Sequence, residues 1–172
     1  MDVDGIAAQQ LHGQGLTLEP LRVEHAAELA PVLDDADLHV FIGGQPATPE
    51  ELHRRYEQLV VGHSPDGSEI WLNWVVRRQD DGQAVGTVQA TLTEQAGRLI
   101  ADIAWVIGSS HQRRGYAREA AHTMAGWLRE QQVDVVIAFV HPEHEASMAV
   151  ARALGLAPTD VLVDGEVRWQ AW

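Results

Sequence analysis

The chain has 172 residues, 45% of them hydrophobic, which suits one compact domain with a sizeable core and is too short for two ordinary ones. Lys and Arg number 12 against 25 Asp and Glu, a formal charge of −13, which argues against a nucleic-acid binder and fits a cationic partner better. Without cysteine there is no disulfide framework, thiol nucleophile or Cys-type zinc site; no apolar run reaches membrane-span length and the acidic start MDVDGIAAQQ is no secretion signal, so a soluble, cytoplasmic protein is expected.

Residues 1–15 carry little pattern and predict a flexible N-terminus, leaving a single domain over 16–172. Leu16, Leu18 and Leu21 suggest a first strand. From Glu24 to Leu33, Ala26, Leu29, Ala30 and Leu33 share one helical face, and Pro31 is expected to bend or end that helix. Phe41 to Pro46 reads as a loop. Thr48-Pro49-Glu50-Glu51 then combines an N-cap Thr, a Pro at the first helical position and a Glu that closes a capping box, predicting a helix to about Val60.

After the turn residues His63 to Gly67, three strands follow in succession: Trp71 to Arg77, Val85 to Leu92 and Leu99 to Ile107. Asp80-Asp81-Gly82 and Ala96-Gly97-Arg98 turn the chain between them, so a meander is expected, with a bulge at Gly86. Gly108-Ser109-Ser110 breaks the third strand, and Ala117, Ala120, Ala121, Met124 and Leu128 recur at helical spacing beyond it.

The segment between, Gln112-Arg113-Arg114-Gly115-Tyr116-Ala117, opens a helix, where backbone N–H groups have no intrahelical partner and the helix dipole is positive. Gly115 and Ala117 leave room for a phosphate, and Arg113, Arg114 and Arg118 supply charge, so a pyrophosphate site is expected. Neither Gly-x-Gly-x-x-Gly nor Gly-Lys-Ser/Thr occurs here. The apolar run Val133 to Val140 reads as a strand buried on both faces, which makes strand, helix and strand a right-handed crossover with a parallel pair. Ala146, Ala149, Val150, Ala153 and Leu154 form the inner face of a helix closed by Gly155, and Val161 to Val163 with Glu166 to Trp169 make a hairpin about Asp164-Gly165. The fold class is therefore α/β with a mixed sheet.

Gln112-x-x-Gly115-x-Ala117 resembles the acyl-CoA loop Gln/Arg-x-x-Gly-x-Gly/Ala of the GCN5-related N-acetyltransferases (GNAT). "ADIAWVIG", "GYAREA" and "HPEHEASMAVARALGL" are similar, in order, to that family's central strand, phosphate helix and second CoA segment, and the resemblance covers nearly everything after Leu16. It is strongest to the RimJ/RimL-like branch that acetylates ribosomal-protein N-termini. It implies a mostly antiparallel sheet with one parallel pair, helices on both faces, acetyl-CoA as co-substrate and transfer of acetyl to a primary amine, on a peptide N-terminus or a small molecule, by direct attack on the thioester.

The same resemblance implies roles for individual residues. Backbone N–H groups around Val106 and Ile107 would serve the oxyanion, Trp105 beside them would contact the coenzyme, and Gln112, Arg113, Arg114, Gly115, Tyr116, Ala117 and Arg118 would complete the coenzyme site. Asp102, on the central strand where many members carry Glu, is the candidate base, acting directly or through water. Phe41, Ile42 and Tyr56 would line the acceptor site. The branch motif Asn-x-x-Ser reads His144-Glu145-Ala146-Ser147 here, which makes Ser147 a proton donor or coenzyme contact and His144 a coenzyme contact in place of Asn.

No Tyr follows Leu154-Gly155, where many members carry the acid for the thiolate, so a catalytically silent CoA-binding module is the alternative. His141 and His144 are three apart, but without Cys or His-Glu-x-x-His they predict no metal site. The protein would be a monomer or a homodimer, with Trp169 or Trp172 on the last strand as a dimer edge.

Overall fold

Alternating apolar residues in three long strands build the frame of the computed structural model, which describes residues 5–39 and 45–171. The elements run β1 (Leu11–His12), β2 (Leu16–Pro20), α1 (His25–Leu33), α2 (Pro49–Leu59), β3 (Glu69–Arg78), β4 (Ala84–Gln95) and β5 (Arg98–Ile107). They continue as α3 (Tyr116–Glu130), β6 (Val135–Val140), α4 (Glu145–Ala153), β7 (Ala157–Val163) and β8 (Glu166–Ala171), with 3-10 turns at Ala36–His39 and Ser109–His111. One sheet holds all eight strands in the order β1-β2-β3-β4-β5-β6-β8-β7, antiparallel except for β5 and β6. The expected meander and parallel pair are both present.

The two faces of the sheet separate the two sides of the molecule. Val88, Ala90, Leu92, Leu99, Ala101 and Ile103 point to the face covered by α3, where Ala120, Met124 and Leu128 complete the main core. Val75 and Ala84 face the other way, against Ala26, Leu29, Leu52 and Tyr56 of α1 and α2. Both α3 and α2 owe their seats to an apolar stripe at helical spacing.

Local chemistry fixes the element ends. Thr48 accepts from the Glu51 N–H at 3.1 Å while the Glu51 carboxylate accepts from the Thr48 N–H at 3.2 Å, the expected capping box at the start of α2. Pro31 lies inside α1, which ends two residues later at Leu33. The β3–β4 register slips between Val76 and Arg77, leaving Val85 as the extra residue next to Gly86. A Cβ on Gly86 would lie 2.0 Å from the Val106 carbonyl oxygen, so only glycine lets β4 approach β5 there. β6 begins at Val135, later than the apolar run suggests, because Asp134 is spent on a clamp: its N–H donates to the Leu99 carbonyl at 2.8 Å and its carboxylate accepts from the Leu99 N–H at 2.7 Å.

Three expectations need correction. Residues 11–12 are not a flexible tail, since β1 pairs with β2 and the Trp74 indole N–H donates to the Gln9 carbonyl at 2.8 Å. Two-residue strands carry too little apolar pattern to be seen in a sequence. β7 starts at Ala157, before the expected Val161, its register irregular between Pro158 and Leu162. Trp169 is not an exposed dimer edge: it is buried on the α4 side under the Arg152 guanidinium, 5.5 Å from its ring.

Candidate active site

The parallel ladder between β5 and β6 is short. It pairs Ile100 with Val135, Ala101 with Val136 and Asp102 with Ile137, and there it stops. From that point β6 follows β8 as far as Val140–Val167, while β5 follows β4 to Ile107–Gly86. A V-shaped gap opens between the C-terminal halves of two parallel strands, the edge of an α/β sheet where ligands bind.

Backbone groups alternate along a strand, and the Gly108 N–H donates to the Val85 carbonyl of the β4 side at 2.9 Å. Val106 therefore turns its N–H to Thr87 of β4, and the amides of Trp105 and Ile107 turn to the gap. Of the two residues named for the oxyanion, the fold turns the Ile107 amide to the opening and spends that of Val106 on the ladder, while Trp105, expected as a coenzyme contact, offers the second amide at the gap. The side chain of Gln112 is likewise engaged, its Nε2 donating to the Ile107 carbonyl at 2.9 Å, so it braces the loop against the end of β5.

The loop then enters α3 through two left-handed residues, Arg113 at φ 66° and Gly115, the N-cap, at φ 80°. Alternating left-handed backbone turns successive N–H groups to one side, an anion-binding arrangement. A Cβ on Gly115 would meet no protein atom within 4 Å, so the space above it is open. Arg113, Arg114 and Arg118 are exposed, and no ion pair among the described residues engages them. Tyr116 and Ala117 are half-buried, and Tyr116 lies under the Arg78 guanidinium, 5.9 Å from its ring. Open space, free amides and uncompensated cations are what a diphosphate group requires, and this loop fits the coenzyme on those grounds.

Beyond β6, residues 141–144 lead into α4 with His144 at its N-cap. Ser147 Oγ lies 3.5 Å from His144 Nε2 in the first turn. Burial, and then the charge of His141, hold His144 below the usual imidazole value, so at neutral pH its ring is uncharged and can accept from the Ser147 hydroxyl.

On the opposite face, a cleft of about 180 Å³ lies between α1, α2 and the sheet, lined by Leu52, Arg55, Tyr56, Asn73, Thr87, Gln89 and Val106 among others. Tyr56, expected there, lines it; burial pushes its phenol up to about 12, so it stays protonated. Phe41 and Ile42 lie outside the described residues. Asp102 is on this same face, opposite Thr91 of β4 and Ile137 of β6, at the point where the ladder ends. Burial pushes its carboxyl up to about 6; Arg168 opposes this, and Glu166 and Glu69 add to it. A carboxylate with that value is ionised at neutral pH and still basic enough to take a proton.

No local pattern in the sequence marks Arg55, Asn73, Gln89 or Arg168 as functional. Polar residues in alternate positions of β3 and β4 look like any solvated strand face, and only the pairing register shows that Asn73 and Gln89 are opposite each other beneath α2. Among the described residues no three of His, Cys, Asp and Glu are grouped to hold a metal, and no helix is long and apolar enough to cross a membrane.

A family model for the acetyltransferase (GNAT) domain matches residues 15–157. A search by sequence finds no match among curated proteins. Among solved structures, the chain is similar to a putative ribosomal-protein-serine acetyltransferase from Vibrio cholerae, with 19% identity, 99% of each chain covered and a TM-score of 0.71. It is also similar to the ribosomal-protein-S5-alanine acetyltransferase from Vibrio fischeri, with 18% identity, coverage of 95% and 96% and a TM-score of 0.74. A third is RimL, a ribosomal L7/L12 alpha-N-protein acetyltransferase solved with coenzyme A, with 14% identity, coverage of 95% and 97% and a TM-score of 0.75. Gap, loop and sheet order agree with the family match: the chain belongs to the GNAT acetyltransferases, enzymes that use acetyl-CoA.

Proposed function

We propose that the protein transfers the acetyl group of acetyl-CoA to a primary amine seated in the α1–α2 cleft. The observation that carries this is the end of the β5–β6 ladder at Asp102–Ile137, which opens a gap with the N-terminus of α3 beside it. In this reading Arg113, Arg114, Arg118 and the amides from Gly115 to Ala117 hold the diphosphate, with Tyr116 packing alongside. His144 and Ser147 contact the coenzyme from α4, and Ser147 is the candidate proton donor to the departing sulfur. The coenzyme supplies an activated acetyl thioester; the protein supplies positions and protons.

An amine is an ammonium ion at neutral pH and must lose a proton before it can attack. Asp102 Oδ takes that proton; Asp is shorter than the Glu of many family members, so a water relays it. The N–H groups of Trp105 and Ile107 face the gap and donate to the oxygen that gains negative charge, typically one of the larger catalytic contributions. Asp102, Glu69 and Glu166 on the cleft side favour an acceptor that arrives as a cation. Peptide N-termini and small amines both meet this description, and a cytoplasmic enzyme would encounter either.

The test is calorimetric titration with coenzyme A followed by thiol release from acetyl-CoA over a panel of amines. Saturable binding with amine-dependent thiol release is expected. No binding at millimolar coenzyme refutes the reading. Binding without turnover on any amine establishes the silent module instead, which one feature favours: a buried Leu156, and no phenol, follows Gly155.

A further inference from the structure

We propose that Arg168 binds a carboxylate on the acceptor, so that the preferred substrate is a primary amine carrying that carboxylate within a few bonds of its nitrogen, such as an amino acid or a short acidic peptide. This rests on the acetyltransferase reading of the same site and narrows its acceptor.

Pairing registers locate the residue. Arg168 of β8 is directly opposite Phe139 of β6, and Gln170 is opposite Ile137, which in turn is the partner of Asp102. Phe139 packs with Ile100, Val135 and Ile137, the cluster on the Asp102 face, so Arg168 rises from that face as well. It is two strands from Asp102 and two residues further toward the open end of the gap. At about 4.8 Å per strand and 3.3 Å per residue the Cα positions are roughly 12 Å apart.

Two opposite charges therefore face the same opening without meeting. Among the described residues no ion pair involves Arg168, not even with Glu166 two residues before it on the same strand. Its Nε is buried with no hydrogen-bond partner among them. A buried donor left unmade is costly, and a guanidinium fork is shaped for a planar carboxylate. Asp102 feels the Arg168 charge, which places the two groups within electrostatic reach. A zwitterion with its ammonium toward Asp102 and its carboxylate toward Arg168 satisfies both, whereas a polyamine would bring a second cation to Arg168.

The experiment compares kcat/KM for amino acids and dipeptides with that for their C-terminal amides, in the full chain. Wild type should favour the acid by about 10- to 100-fold, the range of a charge-assisted hydrogen-bond pair. Arg168→Gln should bring the ratio near one, chiefly through KM of the acid, and Arg168→Lys, which keeps the charge but not the fork, should give an intermediate ratio and serves if the Gln variant does not fold. Arg55→Gln is the comparison, since Arg55 also lines the cleft: the ratio should survive it. Equal rates for acid and amide in wild type, or a ratio lost with Arg55 and kept without Arg168, overturn the inference while the enzyme reading stands. Absence of thiol release with every amine overturns both.

Discussion

Replacing Asp102 by Asn removes a carboxylate that the fold holds at a cost. Its folded value stands at about 6 against 3.8 for the free group. Each unit is 1.36 kcal/mol, giving about 3 kcal/mol for full burial, and partial exposure to solvent cuts this to ~1–2 kcal/mol. The sign follows from proton counting. Between pH 4 and 6 the folded chain holds the proton and the unfolded chain has released it, so this group makes stability fall as pH rises across that window, and above it the penalty is constant. Urea unfolding at pH 8 should therefore show Asp102→Asn more stable than wild type by ~1–2 kcal/mol, with the gap closing toward pH 4. In the same variant the limb of the kcat/KM profile near pH 6 should vanish and turnover should fall, by about 10²- to 10⁴-fold for a lost general base, with coenzyme affinity largely kept. A stability difference that ignores pH would refute the burial argument, and unchanged turnover would refute the base.

Four further substitutions test other parts of the frame. Gly115→Val meets no protein atom but must adopt φ 80°, so it should cost about 1 kcal/mol in denaturant titrations and weaken coenzyme binding at least tenfold by calorimetry, because its side chain enters the space assigned to the diphosphate. Gly86→Ala forces a Cβ against the Val106 carbonyl and should destabilise by about 2–4 kcal/mol in the same titration. Arg77 donates to both oxygens of Glu28 at 2.7 and 2.9 Å, and these bonds hold Glu28 below its ordinary value of 4.5; that stability is present above 4.5 and lost below. Arg77→Gln should thus lose about 0.5–1 kcal/mol at pH 7 and less as pH falls below 4.5. Thr48→Ala removes the cap of α2 and should cost about 1 kcal/mol.

Much of this was legible in the residues because local rules and the fold agree there. Thr48-Pro49-x-Glu51 is satisfied by atoms within one turn, and Asp80-Asp81-Gly82 and Asp164-Gly165 turn the chain whatever surrounds them. The Val133 to Val140 run announces a parallel strand because burial on both faces leaves no alternation. What was hidden depends on partners distant in sequence. Ile103 to Ile107 read as one apolar strand, and nothing in them tells that β6 leaves their side after Asp102. Which amides face the gap follows from a pairing phase set by Gly108 and Val85, so Val106 looked equivalent to its neighbours. Arg168 had no local mark at all; its meaning comes from Phe139 and Ile137, about 30 positions earlier in the chain.

The gap itself is a property of the sheet's two halves, each closed by its own partner. Past Ile137, β6 no longer pairs with β5 and keeps only β8, to which five residue pairs tie its other edge as far as Val140–Val167. β5 for its part stays in register with β4 to the glycine that alone tolerates the Val106 carbonyl. The Leu99–Asp134 clamp holds the two halves together at the closed end, and Gln112 ties the phosphate loop to the last carbonyl of β5 at the open one. A fork so held has unpaired amides at a fixed place before any ligand arrives, and preorganised donors of that kind avoid the reorganisation cost that water would impose. Widening Gly86 should therefore disturb more than stability: by shifting Ile107 it moves an N–H donor and the Gln112 brace together, so in Gly86→Ala turnover should fall further than the folded fraction does. Activity lost only in proportion to unfolded protein would show that the amides at the fork take no part in the reaction.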